Sequence, residues 1–140
     1  FIVPSPYFDL AVAPDGLLRV VNPGATRLEA YTLEGQREFF WGRGGPGVEQ
    51  FIGCCNPAHI AILSDGRIVT SEKGIARIKV FQADRGHGQN GVLESVVADA
   101  GAFGNTEAVL DVAVDSAGRI LVLDPAEGAV RVFARKGDAK

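Results

Sequence analysis

Long hydrophobic runs are missing from this chain. No apolar stretch approaches the roughly 20 residues that cross a bilayer as a helix, and no charged segment followed by an apolar one opens the sequence. A surplus of one charge is missing too. Fourteen Lys and Arg face 17 Asp and Glu, for a formal net charge of −3, and no basic cluster stands out, which argues against a nucleic acid partner. Cysteine is scarce, with two residues in 140. That excludes a disulfide-dense secreted scaffold and leaves the redox compartment undecided. Helical periodicity is nearly absent, the one candidate at 108–111 being too short to matter. Neither a Gly-x-Ser-x-Gly elbow nor a His-Glu-x-x-His helix occurs. The chain reads as soluble, and its start at Phe1, directly in strand-like residues, suggests a processed or trimmed piece, compatible with removal of an export signal.

What the chain has instead is repetition. Residues 9–31, 59–81 and 111–133 each run through a short apolar strand, a turn ending in Gly, a second apolar strand and a third of alternating character. Gly16, Gly66 and Gly118 mark corresponding turns, 50 and 52 residues apart, and Tyr31, Phe81 and Phe133 keep the same intervals. A period of that length indicates a propeller or solenoid. In the turns, Asp15, Asp65 or Ser116 bonds the local backbone and Gly supplies the positive φ of a hairpin. The second strand, clearest at 120–123, is almost continuously apolar, as expected of a strand covered on both faces. In the third, Ile78 and Val80 alternate with Arg77 and Lys79, and Leu28 and Ala30 with Arg27 and Glu29, which predicts one partly wet face. A fourth strand follows the first two copies, at 38–41 and 93–97, and none remains after the third. Residues 1–3 then provide a displaced one. With 46% hydrophobic residues, the 140 residues suffice for one compact core. The expectation is a single all-β domain over 1–140: three four-stranded antiparallel blades at about 4–41, 54–97 and 106–135.

The motif order resembles the NHL-repeat family of β-propellers. The best matches run from Asp111 through Gly118 and Asp124 to Phe133, and from Arg77 to Phe81. Gly53-Cys-Cys-Asn-Pro57, His59-Ile-Ala and Ser71-Glu-Lys-Gly74 further resemble a bacterial branch of that family of unassigned activity. The resemblance implies six blades in a closed ring, a role as binding platform, and enzymatic activity in only some relatives. Three blades cannot close such a ring. A second copy forming a homodimer, or the rest of a longer chain, is expected to supply the other half.

Topology then sorts the polar residues. The start of the first strand and the end of the second lie at the same end of a blade, which places Asp9 with Asn22, His59 with Glu72 and Lys73, and Asp111 with Asp124 around one funnel. The long connections 42–58 and 98–110 emerge there, as a binding face for a protein or a small polar ligand requires. These carboxylates either stabilise turns or hold a divalent cation. His59 and Glu72 make either a structural hydrogen bond or an imidazole oriented for metal binding or proton transfer. Cys54 and Cys55 read as buried small hydrophobes, as a disulfide between neighbours, or as a partial metal site with His59. The Gly-rich stretch 43–47 reads as a flexible connection, 84–91 with His87 as a loop, and Trp41 as packing between blades. The expected function is a non-catalytic binding and assembly module without a cofactor. The alternative is a metal-assisted hydrolase or lyase with a divalent cation, His59 and Glu72 in the funnel; a redox module on Cys54 and Cys55 is the third.

Overall fold

The computed structural model describes residues 6–83, 90–104 and 109–136. Among these, the strands are β1 (Leu10–Val12), β2 (Leu18–Asn22), β3 (Arg27–Tyr31), β4 (Arg37–Trp41), β5 (His59–Ile62), β6 (Ile68–Glu72), β7 (Arg77–Phe81), β8 (Leu93–Ala98), β9 (Val112–Val114), β10 (Ile120–Asp124) and β11 (Ala129–Phe133). They form three antiparallel sheets in meander order: β1-β2-β3-β4, β5-β6-β7-β8 and β9-β10-β11. Helix is confined to two short 3-10 turns, Pro23–Ala25 and Ala100–Ala102, and residues 109–111 are not helical. The third sheet has three strands among the described residues. The displaced strand expected at 1–3 lies outside them.

The turns between the first and second strands share one construction. Ala13, Leu63 and Asp115 each accept a bond from the following Gly amide, at 2.9, 2.8 and 3.0 Å, and donate to the carbonyls of Leu17, Arg67 and Arg119. Gly16, Gly66 and Gly118 have φ of 83°, 87° and 74°, the left-handed region that resists side chains. The carboxylates of Asp15, Asp65 and Asp115 tie each turn to Arg19, Arg67 and Arg119.

β5 lies beside both β1 and β9, so the inner strands neighbour one another and the sheets stack face to face. Because side chains alternate across a strand, the middle sheet has two apolar faces. Ile60, Ile68 and Phe81 pack with Val21, Leu28 and Trp41 of the first sheet around Phe51. Ala61, Val69, Ile78 and Val80 pack with Val112, Ile120 and Val122 of the third. Every residue of β6 is buried on both faces, whereas in β10 Leu123 is exposed because the outer face of the third sheet is open. Trp41 packs between sheets as its sequence position suggests, 5.0 Å from the Phe81 ring centroid.

Two expectations are overturned. The polar face of the third strand is buried at its middle in the first two sheets, Glu29 being 2% exposed and Lys79 fully buried, while Arg27 and Arg77 at its start stay partly exposed. In the third sheet the alternation is inverted, with Arg131 turned inward and Val130 and Val132 exposed. The Gly-rich 43–47 stretch is part of a hydrogen-bonded loop, in which Phe51 N donates to Arg43 O and Gly45 N to Phe51 O. The Phe51 ring enters the core beside Trp41 and Phe81 and fastens that loop down.

Candidate functional site

Asp9, His59 and Asp111 stand at equivalent points of the three repeats, at the start of β1, β5 and β9. The backbone fixes them alike: Val21 N donates to Asp9 O at 3.0 Å and Leu123 N to Asp111 O at 2.9 Å. One carboxylate oxygen of each Asp accepts the next amide, from Leu10 and Val112, both at 2.8 Å. The other oxygen of Asp9 crosses to the second sheet and accepts from Ile60 N at 2.9 Å. His59 N donates to Ser71 Oγ at 3.3 Å.

The adjacency of the inner strands brings the three side chains together. His59 Nδ1 lies 3.4 Å from Asp9 Oδ2 and 3.8 Å from Asp111 Oδ1, and one potential ligand atom of each residue falls within 4.8 Å of the other two. Asp9 and His59 are half-buried and Asp111 is exposed, so the cluster is anchored on one side and open on the other. The hydrogen bond with Asp9 raises the His59 imidazole above its ordinary range; burial opposes this and the charges of Asp111 and Asp9 add to it. Burial pushes the Asp9 carboxyl up, but His59 and the amides of Ile60 and Leu10 outweigh it and hold the group low. Two carboxylates facing an imidazole form an electron-rich pocket suited to a cation.

Tyr7 and Lys73 rim the cluster. The Tyr7 ring meets His59 edge-on at 6.1 Å, and the Lys73 ammonium lies 5.4 Å from the Tyr7 ring centroid. Asn56 fastens the approach to β5 against Lys73: its Oδ1 accepts from Lys73 N at 2.6 Å, and its Nδ2 donates to Lys73 O at 2.8 Å and Ile52 O at 2.5 Å.

The other three expected funnel residues make buried contacts. Asn22, Glu72 and Asp124 are buried and pair with the middle of the third strand, each seven residues on. Asn22 Nδ2 donates to Glu29 Oε1 at 3.1 Å, Lys79 Nζ to Glu72 Oε1 at 2.8 Å and Arg131 Nε to Asp124 Oδ2 at 2.7 Å. The expected His59–Glu72 pair is therefore not formed. His59 turns toward the neighbouring repeats and Glu72 into the packing between the first two sheets. Lys79 also donates to the carbonyls of Val48 and Gln50 and lies over the rings of Phe51 and Phe81. Burial raises the Glu72 carboxyl and lowers the Lys79 ammonium from their ordinary values. The shared seven-residue spacing of polar pairs across a hairpin was the sequence signal for these contacts.

Cys54 is exposed and Cys55 buried, and they are not disulfide-bonded. They are absent from the Asp9–His59–Asp111 cluster. His87 lies outside the described residues.

No family model matches the chain, and no curated protein does. Among solved structures it is similar to virginiamycin B lyase from Staphylococcus aureus. One is a catalytically inactive His-to-Ala variant with quinupristin, at TM-score 0.54 and 13% identity, matched over 90% of this chain and 40% of that one. A selenomethionine form of the lyase matches at TM-score 0.51 and 11% identity, over 95% and 43% of the two chains. The fold is propeller-like. The chain spans about two fifths of the length of these neighbours.

Proposed function

We propose that this chain is a binding module built from NHL-type blades, and that Asp9, His59 and Asp111 together bind a divalent cation or a cationic group of a small polar ligand. The observation that carries this reading is the convergence itself: three positions 50 and 52 residues apart in the sequence present donor atoms within 4.8 Å of one another. The donor set of two carboxylates and one imidazole fits the hard Mn²⁺ through its carboxylates or the borderline Zn²⁺ through its imidazole, and leaves coordination positions open for a ligand. Calorimetric titration with Mn²⁺ and Zn²⁺ tests it. One saturable site per chain is expected, weakened about 10-fold or more in Asp111→Asn and in Asp9→Asn. The absence of saturable uptake would end the cation reading.

The same reading includes completion of the ring. Leu10 and Val12 of the first blade are 53% and 61% exposed, and Val130 and Val132 of the third 59% and 53%. By the repeat period Leu10 matches Ile60, and Val130 and Val132 match Ile78 and Val80, which are 4%, 0% and 3% exposed between blades. The two open faces are thus opposite halves of the interface formed twice within the chain. A second copy provides both complements at once, in a two-fold arrangement.

One observation favours a second reading, a lyase or hydrolase. The similar lyase is held catalytically inactive by a His-to-Ala change, and a histidine lies at the centre of this cluster. In that reading Asp9 and Asp111 would hold a cation that supplies substrate polarisation, and the His59 imidazole would move a proton. Incubation with quinupristin, followed by mass spectrometry, checks it: product formed by the native chain and not by His59→Ala supports catalysis, and an unchanged substrate removes it for this compound.

A further inference from the structure

The vicinal thiols form a second chemical feature, independent of the cation site. The Sγ atoms of Cys54 and Cys55 lie 3.2 Å apart, with Cys54 open to solvent and Cys55 7% exposed. The loop presents them together for a local reason. Gly53 takes a φ of 76°, which reverses the chain just before the pair. Asn56 then ties Ile52, on one side of the pair, to Lys73 at the turn between β6 and β7. The five-residue span 52–56 is pinned at both ends, and the two thiols are left side by side. Packing alone would require two buried thiols, and here one is exposed.

We propose that Cys54 and Cys55 are a redox-active dithiol that closes to a disulfide by exchange with a small-molecule disulfide. The accessible Cys54, as thiolate, attacks one sulfur of the oxidant. A mixed disulfide forms at Cys54 and the first thiolate leaves. Cys55, losing its proton to water, attacks Cys54 Sγ and expels the second. Two protein thiols are oxidised and one small-molecule disulfide is reduced to two thiols, so protons and electrons balance. Burial suits Cys55 to the resolving step, because a bulky oxidant reaches Cys54 first. Consecutive Cα atoms are about 3.8 Å apart, shorter than the roughly 4.4–6.8 Å of ordinary disulfides. The closed form is therefore strained and readily reduced, as suits a reversible switch better than a structural staple.

Intact-mass measurement of the native protein in buffers of oxidised and reduced glutathione tests this. The expected result is loss of about 2 Da in oxidising buffer, without a lasting adduct or a cross-linked pair of chains, and full recovery in millimolar reduced glutathione. Cys55→Ser, lacking the resolving thiol, is expected to accumulate one glutathione adduct, mapped to Cys54. Cys54→Ser is expected to stay unmodified while folded. A native chain that stays at its reduced mass, that holds a stable adduct, or that forms a disulfide between chains would overturn the proposal. The reading of the native mass does not depend on either variant folding.

Discussion

At the scale of single residues, the polar pairs between the second and third strands dominate the energetics that the sequence hides. Glu72 and Lys79 are both fully buried, and burial opposes the charge on each. Removing Glu72 leaves the Lys79 ammonium without its carboxylate, and removing Lys79 leaves Glu72 facing Arg77 at 3.6 Å in the packing between sheets. Lys79→Met alone is expected to cost about 3–5 kcal/mol, whereas Glu72→Leu with Lys79→Met is expected to recover most of that loss. Urea denaturation of the two single variants and the double completes the cycle, and additive losses would contradict the pairing. Glu29 behaves differently. Burial pushes its carboxyl up, but hydrogen bonds from Tyr31, Arg27 and Asn22 outweigh that and hold it below the ordinary carboxylate range. A depressed folded value contributes stability above the unfolded pKa and loses it as pH falls through the folded one. Glu29→Gln is therefore expected to destabilise the protein at pH 7 and to approach the native stability as the pH falls below the ordinary carboxylate range. A difference that does not change with pH would count against this assignment.

At the scale of elements, each hairpin was legible because its chemistry is local. Gly at a fixed offset and Asp at the turn appear in the sequence as they act in the structure, and the first three strands of each repeat were placed by them. The polar alternation of the third strand misled for a physical reason. A charged residue in an apolar strand ordinarily faces water, yet Glu29, Lys79 and Arg131 each meet a polar partner seven residues earlier that makes burial tolerable. The role of the 42–58 connection was invisible because Phe51 acts through rings contributed by other strands. Of the candidate site, Asp9, His59 and Asp111 were legible as members of one end, but their selection over Asn22, Glu72 and Asp124 depends on which way side chains turn. Two substitutions test the elements. Gly66→Val places a β-branched residue at φ 87° and is expected to cost about 1–3 kcal/mol. Gly91→Ala puts a Cβ 2.5 Å from the Trp41 ring and is expected to cost a similar amount, about 1–3 kcal/mol, through overpacking. Thermal melts check both, and unchanged midpoints would reject the turn geometry or the packing.

At the scale of the whole molecule, the first and third sheets each leave apolar residues exposed, Leu10 and Val12 on one and Val130 and Val132 on the other. If a second copy covers them, the chain should elute near 29 kDa, twice its 14.7 kDa mass, and Val130→Asp with Val132→Asp should shift it to the monomer position. A native chain that elutes as a monomer would contradict the pairing of two copies. The proposed cation site lies where the starts of β1, β5 and β9 come together. Paramagnetic broadening by sub-stoichiometric Mn²⁺ in a heteronuclear NMR spectrum tests that convergence most directly. The expected result is selective loss of the Leu10, His59, Ile60 and Val112 amide signals, with Leu17, Arg67 and Arg119 at the opposite turns unaffected. Broadening centred on those turns, or none at all, would contradict it.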